Sequence, residues 1–183
     1  VAPEVAEKQI TAEAFWTLPC PDGWSHELVR GTVIEMVKPG GRHGKHATRI
    51  IAGLLPAADE AGGIVLSEVG FLLQRNPDTV RAPDVAYLRP GDAHHADHPT
   101  FITVPPTIAV EVNSPSDAAS DVIAKARWWI DRGVEQVWVV DAPSQTVTVY
   151  LPGGEARVYG HDDTLDAGET LPGFELPLAR LFD

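Results

Sequence analysis

Two apolar runs, each interrupted by a single carboxylate, constrain this chain more than any other feature. "APDVAYL" (82–88) carries Asp84, and "TIAVEV" (107–112) carries Glu111. Short runs of Val, Ile, Ala and Leu bounded by turn residues read as strands buried on both faces, the interior of a sheet. An unpaired carboxylate in such a place is costly, so a chain that does this twice needs a compensating partner. Pro83 confines Asp84 to the start of its strand, and Asn113-Ser114-Pro115 breaks the second strand just past Glu111. Both acids are therefore expected at strand ends, where adjacent strands would bring them together. Two carboxylates at that range raise each other's pKa and destabilise the protein unless a cation sits between them. An oxygen-only ligand set favours a hard cation, Mg²⁺ or Mn²⁺, over zinc.

The remaining pattern builds an α/β protein around these strands. Thr11 caps a short helix to Leu18, and residues 26–37 alternate around Arg30-Gly31 as a hairpin anchored by Leu28, Val33 and Met36. A helix is expected from about Lys45 to Glu60, with Ile50, Ile51, Leu54 and Leu55 on its apolar face, kinked or shortened by Pro56 and stopped at Gly62-Gly63. "IVLSEVGFLLQ" offers one or two strands. The clearest helix follows Glu111, capped by Ser116 or Asp117 and closed by Gly133. "EQVWVVDA", "QTVTVYL" and "EARVYG" are strands, and "LPGFELPLARLF" is an apolar tail that packs down. Helices alternating with strands in the middle and strands clustered at the end imply a mixed central sheet flanked by helices. The length of 183 residues suits one domain, 1–183.

Composition narrows the function. The formal net charge of -12 disfavours constitutive adhesion to nucleic acid, without excluding a cleft that focuses its own field or holds phosphate through a metal. No apolar run reaches the length of a membrane span. The single cysteine, Cys20, forms no internal disulfide, and the first residues lack a signal-peptide pattern, so a cytoplasmic setting is expected. There is no Gly-rich phosphate loop and no nucleophile elbow.

Taken in order, "ELVRG", His46 at a helix start, "APDVAYL", "EVNSPS", "DVIAKARWWIDRGVEQVWVVD" and "LPGFELPLARLF" resemble the PD-(D/E)XK nuclease superfamily, specifically its Uma-type restriction-endonuclease-like branch. The resemblance covers most of the chain and implies that fold. It also implies that Asp84 and Glu111 are catalytic metal ligands, joined by the carbonyl of Val112, with Mg²⁺ or Mn²⁺ as cofactor. The superfamily lysine would fall at Asn113; Lys125 on the following helix matches the lysine this branch carries instead. Glu27 matches the glutamate of the "ELxxG" segment, a further acid for the site, while Arg30 replaces the acid more usual before that glycine. The implied activity is a metal-dependent DNA endonuclease. The alternative is a nuclease fold without catalysis that serves as an interaction or regulatory module, with a homodimer among its forms.

Each candidate has a structural alternative. Asp84 can bond loop backbone, Glu111 can pair with an arginine such as Arg81, and Lys125 can pair with Asp121 on a solvated helix face. On helical geometry Val122, Ala126, Trp129 and Ile130 form the buried face, with Lys125 on its margin. Glu35 and Glu68 are rival acids. Arg42, His43, Lys45, His46 and Arg49 gather at a helix start, where phosphate binding competes with an ordinary solvated helix end. His94, His95, Asp97 and His98 read as a solvated loop, with a zinc site as the alternative. Trp128, Trp129 and Trp138 are read as core.

Overall fold

The computed structural model describes residues 9–114 and 117–183. Its elements are α1 (Ala12–Trp16), β1 (Trp24–Val29), β2 (Thr32–Val37), α2 (Gly41–Ala61), β3 (Ile64–Ser67), β4 (Phe71–Gln74), β5 (Thr79–Arg81), β6 (Val85–Leu88), β7 (Ile108–Val112), α3 (Ala119–Ile130), β8 (Gln136–Asp141), β9 (Thr146–Tyr150), β10 (Ala156–Tyr159), β11 (Thr164–Asp166), β12 (Glu175–Pro177) and α4 (Leu178–Phe182). A mixed sheet of six strands, in the order β10-β9-β8-β7-β6-β3, forms the centre, with β7 and β8 parallel and its other pairs antiparallel. A second sheet, β2-β1-β5-β4, carries the hairpin, and β11-β12 is a separate ribbon.

Strand alternation sorts the two faces. Val85, Ile108, Val110, Val112, Trp138 and Val140 point to one side, where they pack with Ile50 and Leu54 of α2 and with Leu178 and Leu181 of the tail. Ala86, Leu88, Ala109, Val137 and Val139 point to the other, against Ala126 and Trp129 of α3. Glu111 shares the parity of Ala109, so the pleat aims its side chain at α3. A smaller cluster of Ala12, Leu28, Leu72, Val80 and Phe101 joins α1 to the second sheet.

Several local expectations are corrected. α2 begins at Gly41, four residues before Lys45, and runs through Pro56 to Ala61. Pro56 and Ala52, whose carbonyl loses its donor, both lie on the exposed side, where water can serve that carbonyl. The N-cap of α3 is Ala118, without a side-chain capping bond; Asp117 instead accepts from the Ser114 N–H at 2.8 Å, and Ser116 lies outside the described residues. The Arg30-Gly31 hairpin turn has positive φ at both residues, +52° and +80°, the geometry a two-residue turn with matching twist demands. That local requirement suffices to account for Gly31. "IVLSEVGFLLQ" resolves into two strands in different sheets.

Candidate active site

The register of β6 and β7 builds the site. Val85 lies opposite Val110, so Asp84 falls opposite Glu111, one position beyond the last paired residues, and Pro83 falls opposite Val112. Proline has no N–H to give the ladder. The Val112 N–H turns instead to Asp84 Oδ2, at 2.6 Å. Along a strand the N–H and C=O of one residue face the same neighbour, so the Val112 carbonyl is directed toward this same strand end. The second oxygen, Asp84 Oδ1, lies 3.0 Å from Nε2 of His43, which reaches around from the first turn of α2. That hydrogen bond holds the His43 imidazole above its ordinary pKa against its own desolvation, with the charges of Asp84, Glu111 and Glu68 adding to it.

Glu111 is held from α3. Trp129 Nε1–H donates to Oε1 at 2.8 Å, and Lys125 Nζ lies 2.9 Å from Oε2. These two side chains are four residues apart and so share a helix face. Burial pushes the Glu111 pKa up to about 7; the Lys125 charge opposes the rise, and Asp84 and Glu27 reinforce it. Desolvation draws the Lys125 pKa down, but the charges of Glu111 and Glu27 outweigh it and the net shift is upward. Lys125 is therefore a firmly protonated ammonium between two carboxylates, its other contact being Glu27 Oε1 at 3.1 Å.

Glu27 enters from β1, outside the central sheet, and is 4% exposed. Arg81 Nη1 donates to its Oε2 at 3.0 Å, and the Ala82 N–H approaches Oε1 at 3.4 Å. The Arg81 guanidinium stands over the Trp128 ring at 5.1 Å.

The four expected acid and lysine positions thus converge. The partners the structure adds are His43 for Asp84, Trp129 for Glu111 and Arg81 for Glu27. Arg81 does not pair with Glu111, and Lys125 does not pair with Asp121. One sequence signal pointed to His43: it precedes Ala47, Ile50 and Leu54 by four, seven and eleven residues, in the middle of the stripe that α2 turns to the core.

The basic cluster on α2 is largely spent elsewhere. Lys45 Nζ donates to the Asp183 carbonyl at 2.9 Å, and Arg49 Nη1 donates to the Leu181 carbonyl at 3.0 Å. Both serve carbonyls at the end of α4 that have no helical donor. His46 is 4% exposed, with Nδ1 2.7 Å from the Arg42 carbonyl and its ring against Phe182. Arg42 is exposed. His94, His95 and Asp97 lie in a 3₁₀ turn, Ala93–Asp97. Among the described residues no three His, Cys, Asp or Glu side chains are gathered to hold a metal, at this loop or at the strand-end acids. Of the rival acids, Glu35 pairs with His26 at 3.5 Å, and Glu68 is exposed in a left-handed conformation, φ +55°. Trp138 is core, packed on Phe174.

A scan against protein-family models matches residues 12–179 to Uma2, described as "Putative restriction endonuclease". The chain belongs to the Uma2 family. Its fold is similar to the crystal structure of a "putative nuclease belonging to DUF820" from Anabaena variabilis ATCC 29413, with a TM-score of 0.79 and 20% identity over 94% of this chain and 97% of that one. This places the Uma2 chain in the restriction-endonuclease-like α/β fold. No curated protein matches it significantly. Among the described residues, no helix of this Uma2 protein is long and apolar enough to cross a membrane.

Proposed function

We infer that this Uma2 protein is a metal-dependent endonuclease that hydrolyses phosphodiester bonds in DNA. One observation carries the reading. Asp84 and Glu111 fall at opposite positions where β6 and β7 end, one residue past their last paired positions, with Lys125 Nζ 2.9 Å from Glu111. The donor set fits Mg²⁺ or Mn²⁺, since it is made of two carboxylates and the Val112 carbonyl, all hard oxygens. Among the described residues each Asp84 oxygen has one protein partner, which leaves it a second lone pair for a cation. When bound, such an ion lowers the pKa of a coordinated water and offsets charge on the phosphate.

The protein's own side chains supply the rest. Val112 N–H and His43 fix the Asp84 carboxylate from both sides, and Trp129 fixes Glu111. Lys125, protonated and lacking a lone pair, cannot ligate the cation; it orients the attacking water or stabilises charge developing on the phosphate. It stands in for the superfamily lysine, which Asn113 does not provide. Glu27 holds the ammonium from its far side.

The test is single-turnover cleavage of plasmid and single-stranded DNA with Mn²⁺. Lys125→Met and Glu111→Gln are each expected to slow cleavage by about 10²-fold or more. A parent protein that binds Mn²⁺ and cuts neither substrate would favour a non-catalytic interaction module, and full activity in Lys125→Met would remove this lysine from the mechanism.

A further inference from the structure

Glu27 differs from the two strand-end acids. Its side chain is 5% exposed, against 13% for Glu111 and 18% for Asp84. Each of its oxygens meets an arginine or lysine, Oε2 Arg81 at 3.0 Å and Oε1 Lys125 at 3.1 Å, with the Ala82 N–H also near Oε1. Such a carboxylate is paired with protonated side chains rather than open to a metal ion. Its partner Arg81 ends β5, three residues before Asp84, so one short segment carries both the cation that serves Glu27 and the acid of the strand end.

Arg81 is itself seated with care. Its guanidinium stands over Trp128 at 5.1 Å, and Arg132 stands over the same ring at 4.2 Å. Arg132 is anchored by the Trp128 carbonyl at 3.1 Å and by Gln74 Oε1. Among the described residues, the buried Nε atoms of both arginines have no hydrogen-bond partner. Burying a donor unpaired is unfavourable, so two of them beside one ring call for a compensating role. Charge supplies one: with Glu27 and Glu111 competing for a single ammonium, Lys125 would be drawn to whichever acid is less satisfied. Arg81 Nη1–H takes Glu27 Oε2 and leaves only Oε1 to Lys125, whose ammonium lies 2.9 Å from Glu111 and 3.1 Å from Glu27.

We propose that Arg81 is a positioning residue that acts through Glu27 to set where the Lys125 ammonium sits beside Glu111. This rests on the nuclease reading only for its consequence, not for its geometry. The experiment therefore has two readouts. In ¹⁵N-resolved spectra of lysine ammonium groups at low temperature, Lys125, held by two carboxylates, gives a slowly exchanging signal, assigned by its loss in Lys125→Met. Arg81→Gln shifts and broadens it, and Arg81→Lys, which keeps the charge but not the planar guanidinium over Trp128, restores it in part. In a Glu27→Gln background, Arg81→Gln causes no further change, because the two act in series. The second readout is single-turnover cleavage at saturating DNA, where Arg81→Gln lowers the rate about tenfold at unchanged KM and Mn²⁺ affinity. An unchanged Lys125 signal in Arg81→Gln, or an effect that persists undiminished without Glu27, overturns the proposal. A parent that cuts no DNA sinks the nuclease reading instead, and the spectroscopic cycle still decides this one.

Discussion

Two charged regions of this molecule invert their sequence appearance. The strand-end acids look under-compensated in the sequence, yet Asp84 and Glu111 each have a cation or donor on both oxygens, as does Glu27 within β1. The start of α2 looks like a ready phosphate site, yet Lys45 and Arg49 reach the carbonyls of α4 and His46 is in the core. A charge in a sequence does not say whether it is spent inside the protein. What separates the two is the geometry of the spending. At the acids the partners hold two carboxylates where two strands end, whereas on α2 the partners are backbone carbonyls that close off a helix.

The largest measurable contrast lies in the pH dependence of stability. Glu111 has its pKa raised from 4.5 to about 7 by burial, so the folded state binds this proton more tightly than the unfolded one. Stability is then fully present below about pH 4.5 and lost as pH rises toward 7, by on the order of 3 kcal/mol. His43, also raised, adds a loss of the same sign that begins above its ordinary value of 6.5. Urea unfolding in EDTA at constant ionic strength should show stability falling across both windows. Glu111→Gln should remove the lower window and leave the upper, while His43→Gln should do the reverse. A flat profile from pH 5 to 7 would show that the acid cluster is not desolvated as described.

A smaller effect is expected on α2. Arg49→Ala should cost about 1 to 2 kcal/mol of stability, because it removes a charged hydrogen bond to a partly buried carbonyl. It should leave the salt dependence of any DNA binding unchanged, whereas removing the exposed Arg42 should reduce that slope by about one if this helix start touches phosphate. An Arg49→Ala variant with parental stability and a reduced slope would reverse the assignment of this region.

What the sequence made legible follows from range. β6, β7 and α3 announce themselves through apolar period and turn residues within a dozen positions, and the order of the motifs identified the fold. Lys125 could be placed on the margin of the α3 face by counting residues alone. The early start of α2 could not, because Gly41 and Gly44 lower helix propensity; the tertiary contacts of His43, Lys45 and His46 stabilise that turn. The partners of the acids were hidden for a related reason. His43 and Asp84 are 41 residues apart, and Arg81 and Glu27 are 54 apart, pairings set by the meeting of separate elements. Trp129 was readable as core, and it is core; its indole N–H toward Glu111 depends on a strand parity that only the register of β7 fixes.

The central claim is that Asp84 and Glu111 form a cation site beside a lysine that does not ligate the ion. Calorimetric titration with Mn²⁺ near neutral pH tests it directly. The parent should bind one ion, Asp84→Asn should weaken binding by about tenfold or more, and Lys125→Met should bind as tightly as the parent or slightly more tightly, since an ammonium repels the ion and offers it no lone pair. Absence of binding in the parent, or binding by Asp84→Asn equal to that of the parent, would contradict the account.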